Sequence, residues 1–152
     1  MAYPSVFDPD QNALVLRRIS QLKTSSKPEW GKMDVAQMLA HLNVSYDIAY
    51  GHTPTNYGWF TKLMLKLFVK NTVVGEKEYK KNSRTADEFL IADERDFEKE
   101  KAKLIEYILH TEECGVGFFE GFESASFGKL SSHEWSNLFS KHLDHHLTQF
   151  GV

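Results

Sequence analysis

Four long segments of the chain place apolar residues three or four positions apart, which is the spacing along one face of an α-helix. Three of these segments begin with residues that cap helices. Asp8 precedes a proline, and Asp34 and Ser131 are each followed three positions later by Gln or Glu. No segment shows the alternation of apolar and polar residues that is typical of strands. The sequence therefore predicts an all-α fold in which four helices form a bundle.

The same signals predict where the helices lie. The expected limits are, in chain order, residue 8 onward, 34–50, 93–113 and 131–150. A shorter apolar helix is expected at 59–70, within the connection between the second and third long helices. The glycine-rich segment 115–128 carries four phenylalanines and is expected to be a loop. Its aromatic rings would either close a pocket or cap one end of the bundle.

The length of 152 residues is typical of one domain, and no linker or repeat divides the chain, so we expect a single domain, 1–152. The net charge of −3 gives no long-range attraction to phosphates or anionic lipid. This argues against nucleic acid and membranes as partners. The most apolar run, Trp59–Val69, contains two lysines and is too short to span a bilayer.

The expected location of the protein is the cytoplasm. Its first ten residues lack the basic and apolar regions of a signal peptide. Cys114 is the only cysteine, so no internal disulfide can form, which fits a reducing compartment. Glu112 and Glu113 precede this cysteine and oppose thiolate formation, so we expect an inert thiol.

The last predicted helix carries two histidines, His142 and His146, at the centre of its inward face. Imidazoles at positions i and i+4 stand one turn apart and can reach one ion at about 2.0–2.1 Å. The alternative is two core histidines bonded to backbone or water, but both would then need partners in the same dry place. The helical count puts Asp144 and Leu147 on the opposite side and His145 at the rim.

His41 lies on the second predicted helix, at the flank of its inward face. Helix bundles place sites where side chains from facing helices converge. Together with His142 and His146, this residue would supply three nitrogen ligands and leave one position open, as in catalytic metal sites. The sequence therefore predicts one divalent metal ion. Zinc or nickel is favoured, and iron, copper and manganese are alternatives.

Two further polar residues, Tyr46 and Gln149, face inward on the same two helices. Either could orient a metal ligand or a substrate, although helix packing with one hydrogen bond is the simpler role. No carboxylate is a convincing general base, because Asp47 and Asp144 face away by the helical count. Catalytic residues beyond the metal ligands are therefore not assigned.

Two stretches of the sequence resemble the DinB/YfiT-like metalloenzyme superfamily. Residues 30–42, Trp-Gly-Lys-Met-Asp-Val-Ala-Gln-Met-Leu-Ala-His-Leu, are similar to its first histidine segment. Residues 142–151, His-Leu-Asp-His-His-Leu-Thr-Gln-Phe-Gly, are similar to its last. With Phe-Gly-Lys-Leu at 127–130 and Glu-Trp at 134–135, this ending resembles an uncharacterised branch. That branch often has His-Pro before Phe-Gly, where this chain has Ser-Ala-Ser, so no role is transferred to that histidine.

The resemblance implies a kinked four-helix bundle with one long crossover connection, often as a homodimer. It also implies a divalent metal on three histidines, which correspond here to His41, His142 and His146. Characterised relatives include transferases and isomerases that use a low-molecular-weight thiol such as mycothiol or bacillithiol. Others have been described as metal-dependent hydrolases.

Three functions remain open at this point. The leading hypothesis is a transferase in which the metal ionises a low-molecular-weight thiol that attacks a small-molecule substrate. The second is a hydrolase that uses metal-bound water. The third is a metal-binding module without turnover, which the lack of a general base would fit.

Overall fold

The helices of this protein begin where the sequence carries capping residues. The structure is a computed structural model that describes residues 3–152. Met1 and Ala2, which belong to the predicted domain and to the N-terminal segment searched for a signal peptide, lie outside the described residues. Residues 3–152 contain six α-helices, one 3₁₀ helix and one two-stranded antiparallel hairpin. The elements are α1 (Pro9–Gln21), α2 (Val35–Ala49), α3 (Trp59–Phe68), α4 (Lys70–Val74), the 3₁₀ helix (Asp87–Phe89), α5 (Phe97–Phe119), β1 (Glu123–Ser124), β2 (Gly128–Lys129) and α6 (Ser132–Gln149).

All three predicted N-caps are confirmed. The Asp8 carboxylate accepts a hydrogen bond from the backbone N–H of Asp10, the second residue of α1, at 2.9 Å. Asp34 and Ser131 each form a complete capping box at the start of α2 and α6. These bonds satisfy N–H groups that have no partner within the first turn of a helix. The predominance of helix agrees with the all-α prediction.

The four longest helices, α1, α2, α5 and α6, pack around one cluster of buried side chains. A column of aromatic rings lies within this core. The ring of Tyr46 on α2 stacks on Phe139 of α6, with ring centroids 4.4 Å apart, and on Tyr107 of α5 at 5.2 Å. Such pairs add about 0.5–1.5 kcal/mol each to the burial of their area. The column therefore holds α2 close to α6.

The third long helix differs from its predicted limits. α5 begins at Phe97, a few residues later than expected, and continues past Glu113 to Phe119. Gly115 interrupts it with a φ of +71°, which glycine adopts readily and other residues do not. The segment 115–128 was predicted to be a loop throughout. That prediction is wrong for its first residues, which belong to α5. Its Phe119 is fully buried in the core, because the last turn of α5 folds back onto α6.

α6 buries more of its surface than the predicted face. Leu147, which was expected on the outer side, is fully buried, so that expectation is wrong. The reason is that α6 contacts α1 and α4 as well as α2 and α5. Asp144 does lie outside the core, where it pairs with Arg18 of α1 at 2.7 Å.

The connection between α2 and α5 contains α3, α4 and the 3₁₀ helix. The short helix predicted at 59–70 is confirmed in most of its length, since α3 ends at Phe68 and α4 begins at Lys70. Within the described part of the chain, no helix is both long and apolar enough to cross a membrane.

A buried lysine attaches this connection to α6. The Lys141 ammonium donates hydrogen bonds to the carbonyl oxygens of Thr72 and Gly75, both at 2.6 Å, and of Lys77 at 3.2 Å. Burial lowers its pKa to about 8. Three carbonyl acceptors thus compensate for the removal of this charge from water.

We expect Lys141→Met to lower the free energy of unfolding by about 1–3 kcal/mol, because three partly buried hydrogen bonds to carbonyl oxygens would be lost. The measurement is urea denaturation of the metal-free protein. The exposed Lys23→Met is the matched control and should change stability by less than about 0.5 kcal/mol. Equal stability of the two variants would show that this ammonium does not hold the connection.

Candidate metal centre

Three imidazoles from α2 and α6 meet beside the aromatic column. One ring nitrogen from each of His41, His142 and His146 lies within 4.8 Å of the other two. The Nε2 atoms of His41 and His142 are 2.9 Å apart, and the three rings have centroids 4.5 to 5.0 Å from one another. His41 and His146 are buried, and His142 is partly exposed. The structure thus brings together all three predicted ligands.

The outer nitrogen of His41 is held by the connection. Its Nδ1 lies 2.9 Å from the carbonyl oxygen of Phe89, at the end of the 3₁₀ helix. A carbonyl oxygen can only accept, so Nδ1 carries the proton and the neutral ring directs an Nε2 lone pair toward the other histidines. His142 Nε2 is then the donor in the hydrogen bond between these two rings. Hydrogen bonds to the outer nitrogen are usual for histidines that bind metals.

The outer nitrogen of His146 is held in the same way by Gln149. The Gln149 amide donates to the carbonyl oxygen of Trp30 at 2.6 Å, which turns its Oε1 toward His146 Nδ1 at 2.7 Å. Nδ1 is therefore the protonated nitrogen and Nε2 is free to bind. Gly31 permits this contact, because its φ is +86° and a Cβ there would lie 2.6 Å from the Gln149 amide nitrogen.

The electrostatics of the site keep the imidazoles neutral. Burial lowers the pKa of His41, His142 and His146, and the neighbouring imidazoles lower it further. The pKa of His146 falls to about 3, and that of His142 falls well below its usual value. Neutral imidazole is the form that binds a metal.

The three nitrogens fit one divalent cation. Nitrogens bound to a tetrahedral ion at about 2.0–2.1 Å lie about 3.3 Å from one another. The closest pair here is 2.9 Å apart and no pair exceeds 4.8 Å, so small side-chain adjustments suffice. Three imidazoles suit zinc, nickel, copper or iron, whereas manganese prefers oxygen ligands.

The histidines face a cavity of ≈ 1070 Å³ between α2, α6 and the connection. Leu65 and Val69 of the connection and Leu138 of α6 contribute apolar wall, and Ser45 and Gln149 contribute polar groups. Within residues 3–152, Asp87 is the one carboxylate that lines the cavity, and it is exposed. The protein therefore supplies a roomy, largely apolar chamber in which a single carboxylate is found among the described lining residues.

The other residues that the sequence analysis named differ in their position relative to the cavity. Gln149 lines the cavity, whereas Tyr46 lies in the aromatic column, and an orienting role for Tyr46 stays a prediction. His145 lies at the side of the cavity, with its ring 4.9 Å from that of His146. Phe127 also lines the cavity and Phe119 is buried in the core, while closure of the pocket or capping of the bundle end by the aromatic segment stays a prediction.

Sequence reasoning missed the two backbone carbonyls that orient the site. The carbonyl groups of Phe89 and Trp30 have no side-chain signal, because any residue could supply them. The contact of Gln149 with His146 did have a signal in the sequence, since residues at i and i+3 lie on the same face of a helix.

A protein-family model described as "Protein of unknown function (DUF1569)" matches residues 7–151. The chain belongs to this family. No curated protein and no solved structure matches the chain. The family match spans both histidine segments, and its description names no activity.

We expect His142→Ala and His146→Ala to abolish stoichiometric binding of zinc or nickel, because each removes one of three converging nitrogens. The matched control is His145→Ala, which removes a neighbouring imidazole at the side of the cavity. Metal content of protein purified without a histidine tag, followed by chelator competition, measures the effect. Full binding by either ligand variant, or an equal loss in the control, would contradict the assignment.

We expect Gln149→Met to weaken metal affinity about 10–100-fold while keeping one ion per chain, because His146 would lose the acceptor that orients its ring. Gln21→Met, at an exposed position on α1, should bind as the wild type does. Isothermal titration with a competing chelator provides both affinity and stoichiometry. An unchanged affinity in Gln149→Met would show that this hydrogen bond does not position the ring.

Proposed function

We propose that His41, His142 and His146 hold one divalent metal ion, zinc or nickel first, and that the protein is a transferase that uses a low-molecular-weight thiol. One observation carries the proposal. The outer nitrogens of His41 and His146 are both tied by hydrogen bonds, so their inner nitrogens converge with His142 at the wall of the cavity. This prepares three ligands and leaves room for a fourth.

A divalent cation bound there would lower the pKa of a thiol in the open position. Residues of the protein itself orient the metal ligands and shape the cavity. Phe89 and Gln149 keep the imidazole rings oriented, and the apolar walls around Leu65, Val69 and Leu138 limit the access of water. In the transfer itself, the thiolate sulfur bonds to an electrophilic carbon of the small-molecule substrate as the bond from that carbon to its leaving group breaks.

The size and composition of the cavity favour a thiol over water as the nucleophile. Its volume of ≈ 1070 Å³ is slightly above the usual range of about 300–1,000 Å³, which supports the binding of two reactants together. Hydrolysis usually needs a general base near the attacking water. Among residues 3–152 the one lining carboxylate, Asp87, is exposed, so hydrolysis is the second candidate. A metal-binding module without turnover is the third.

We further propose that the fold is the kinked four-helix bundle of the DinB/YfiT-like superfamily, in one domain, 1–152. Four long helices around a common core, a long connection after α2 and the break at Gly115 support this assignment. The family match over residues 7–151 supports a single unit. A homodimer and a cytoplasmic location stay predictions.

We expect the metal-loaded protein to accelerate consumption of a thiol by an electrophile, and the acceleration to vanish in His41→Ala. The loss should be complete because two nitrogens hold the ion poorly and without a defined open position. A panel of low-molecular-weight thiols with a chromogenic electrophile measures the rate, and His145→Ala is the control. A thiol should also change the absorption spectrum of the cobalt-substituted protein, because sulfur would enter the coordination sphere.

Two outcomes would contradict the thiol assignment. If the cobalt spectrum is unchanged by every thiol, and an ester or amide is hydrolysed without thiol, the second candidate is correct. If metal binds with the expected stoichiometry and neither reaction occurs, the binding module is correct. Loss of metal binding itself would instead contradict the site.

A further inference from the structure

The helix α3 exposes a row of large apolar side chains. The exposed fractions are 78% for Trp59, 58% for Phe60, 42% for Leu63, 60% for Leu67 and 74% for Phe68. We call these five residues the outer face of α3. Single exposed apolar residues are ordinary, but five on one ten-residue helix form a patch that marks a surface for binding.

The outer face is not needed to attach α3 to the rest of the protein. The opposite side of the helix, with Leu65 and the adjoining Val69, lines the cavity, and Leu65 packs against the core. The helix is therefore anchored on one side and unoccupied on the other. Exposure of this much apolar surface is unfavourable in water, so the outer face is expected to have an apolar partner.

The charge around the outer face is positive. Between Asp47 and Glu76 the sequence contains three lysines and no acidic residue. Wound at about 100° per residue, Lys62 and Lys66 fall beside the outer face, between it and the cavity side. In the described part of the chain neither has a carboxylate partner within 4 Å, whereas Lys70 pairs with Glu134 at 2.8 Å. Two free ammonium groups therefore border the apolar residues.

We propose that the outer face of α3 binds the surface of an anionic phospholipid bilayer, with the helix lying in the plane of the interface. Trp, Phe and Leu on one face with lysines beside them are typical of interfacial helices. The apolar side chains enter the acyl boundary, and Lys62 and Lys66 reach the phosphate groups.

A second copy of the chain is a poorer partner for the same face. A two-fold contact through the outer face would bring the lysines of both copies together with no acidic residue on the patch to pair with them. An anionic bilayer satisfies both the apolar and the charged groups.

The proposal departs from the expectation of no membrane partner, which rested on the net charge of the whole chain rather than on this segment. It is independent of the proposed metal chemistry.

The test is co-sedimentation of the full chain with vesicles of phosphatidylcholine alone and of phosphatidylcholine with phosphatidylglycerol. We expect binding to the anionic vesicles that decreases as salt is raised, and much weaker binding to the neutral ones. Lys62→Glu/Lys66→Glu should lower partitioning onto anionic vesicles at least about tenfold, since each lysine near the surface contributes about fivefold. Lys23→Glu/Lys99→Glu makes the same charge change at exposed positions elsewhere and should have a smaller effect.

The apolar contribution is tested separately. Trp59→Ser/Leu63→Ser/Leu67→Ser should abolish vesicle binding, because the interfacial area of the helix is lost. The control Leu14→Ser/Leu90→Ser/Leu109→Ser removes leucines that are also exposed, by 52%, 61% and 47%, and should bind as the wild type does. Circular dichroism and metal content should be unchanged in all four variants, which shows that each is folded.

Three results would overturn the proposal. The first is a wild-type protein that does not sediment with anionic vesicles at low salt. The second is equal binding to neutral and anionic vesicles. The third is that the α3 variants and their controls change vesicle binding to the same extent. If the first result is joined by a concentration-dependent dimer in sedimentation velocity that Trp59→Ser/Leu63→Ser/Leu67→Ser dissociates, the outer face is occupied by a second copy.

Discussion

The close approach of α2 and α6 is the constraint on which the site depends. It is maintained by the flat stacking of Tyr46 on Phe139, with Tyr107 of α5 on the other side of the tyrosine ring. His41 and His142 lie about one turn along their helices from this stack. The spacing between the stacked rings of Tyr46 and Phe139 therefore also sets the spacing between the two imidazoles. A looser core would separate their nitrogens beyond the reach of one ion.

The burial that stabilises this core also determines the chemistry of the histidines. Three imidazoles placed together in a dry region cannot all be charged, and each neutral ring has one nitrogen that needs an acceptor. Phe89 and Gln149 supply acceptors for His41 and His146. The same hydrogen bonds thus satisfy these two imidazoles and orient the nitrogens that could hold a metal ion.

The connection between α2 and α5 is part of the site although it carries no proposed ligand. It supplies the Phe89 carbonyl, and α3 forms part of the cavity wall through Leu65. Its position depends in turn on Lys141, whose ammonium binds three of its carbonyl oxygens. Lys141 directly precedes His142 in the sequence, so one turn of α6 both anchors the connection and contributes to the histidine cluster.

The sequence by itself determined what depends on local spacing. The caps at Asp34 and Ser131, the shared face of His142 and His146 and the inward position of Gln149 follow from the geometry of a single helix. The tertiary structure alone decided what depends on packing between distant segments. The burial of Leu147, the carbonyl partner of His41 and the outward exposure of α3 are examples. The physical reason is that periodicity identifies an apolar face, whereas the neighbours that cover it, or leave it open, are set by the path of the whole chain.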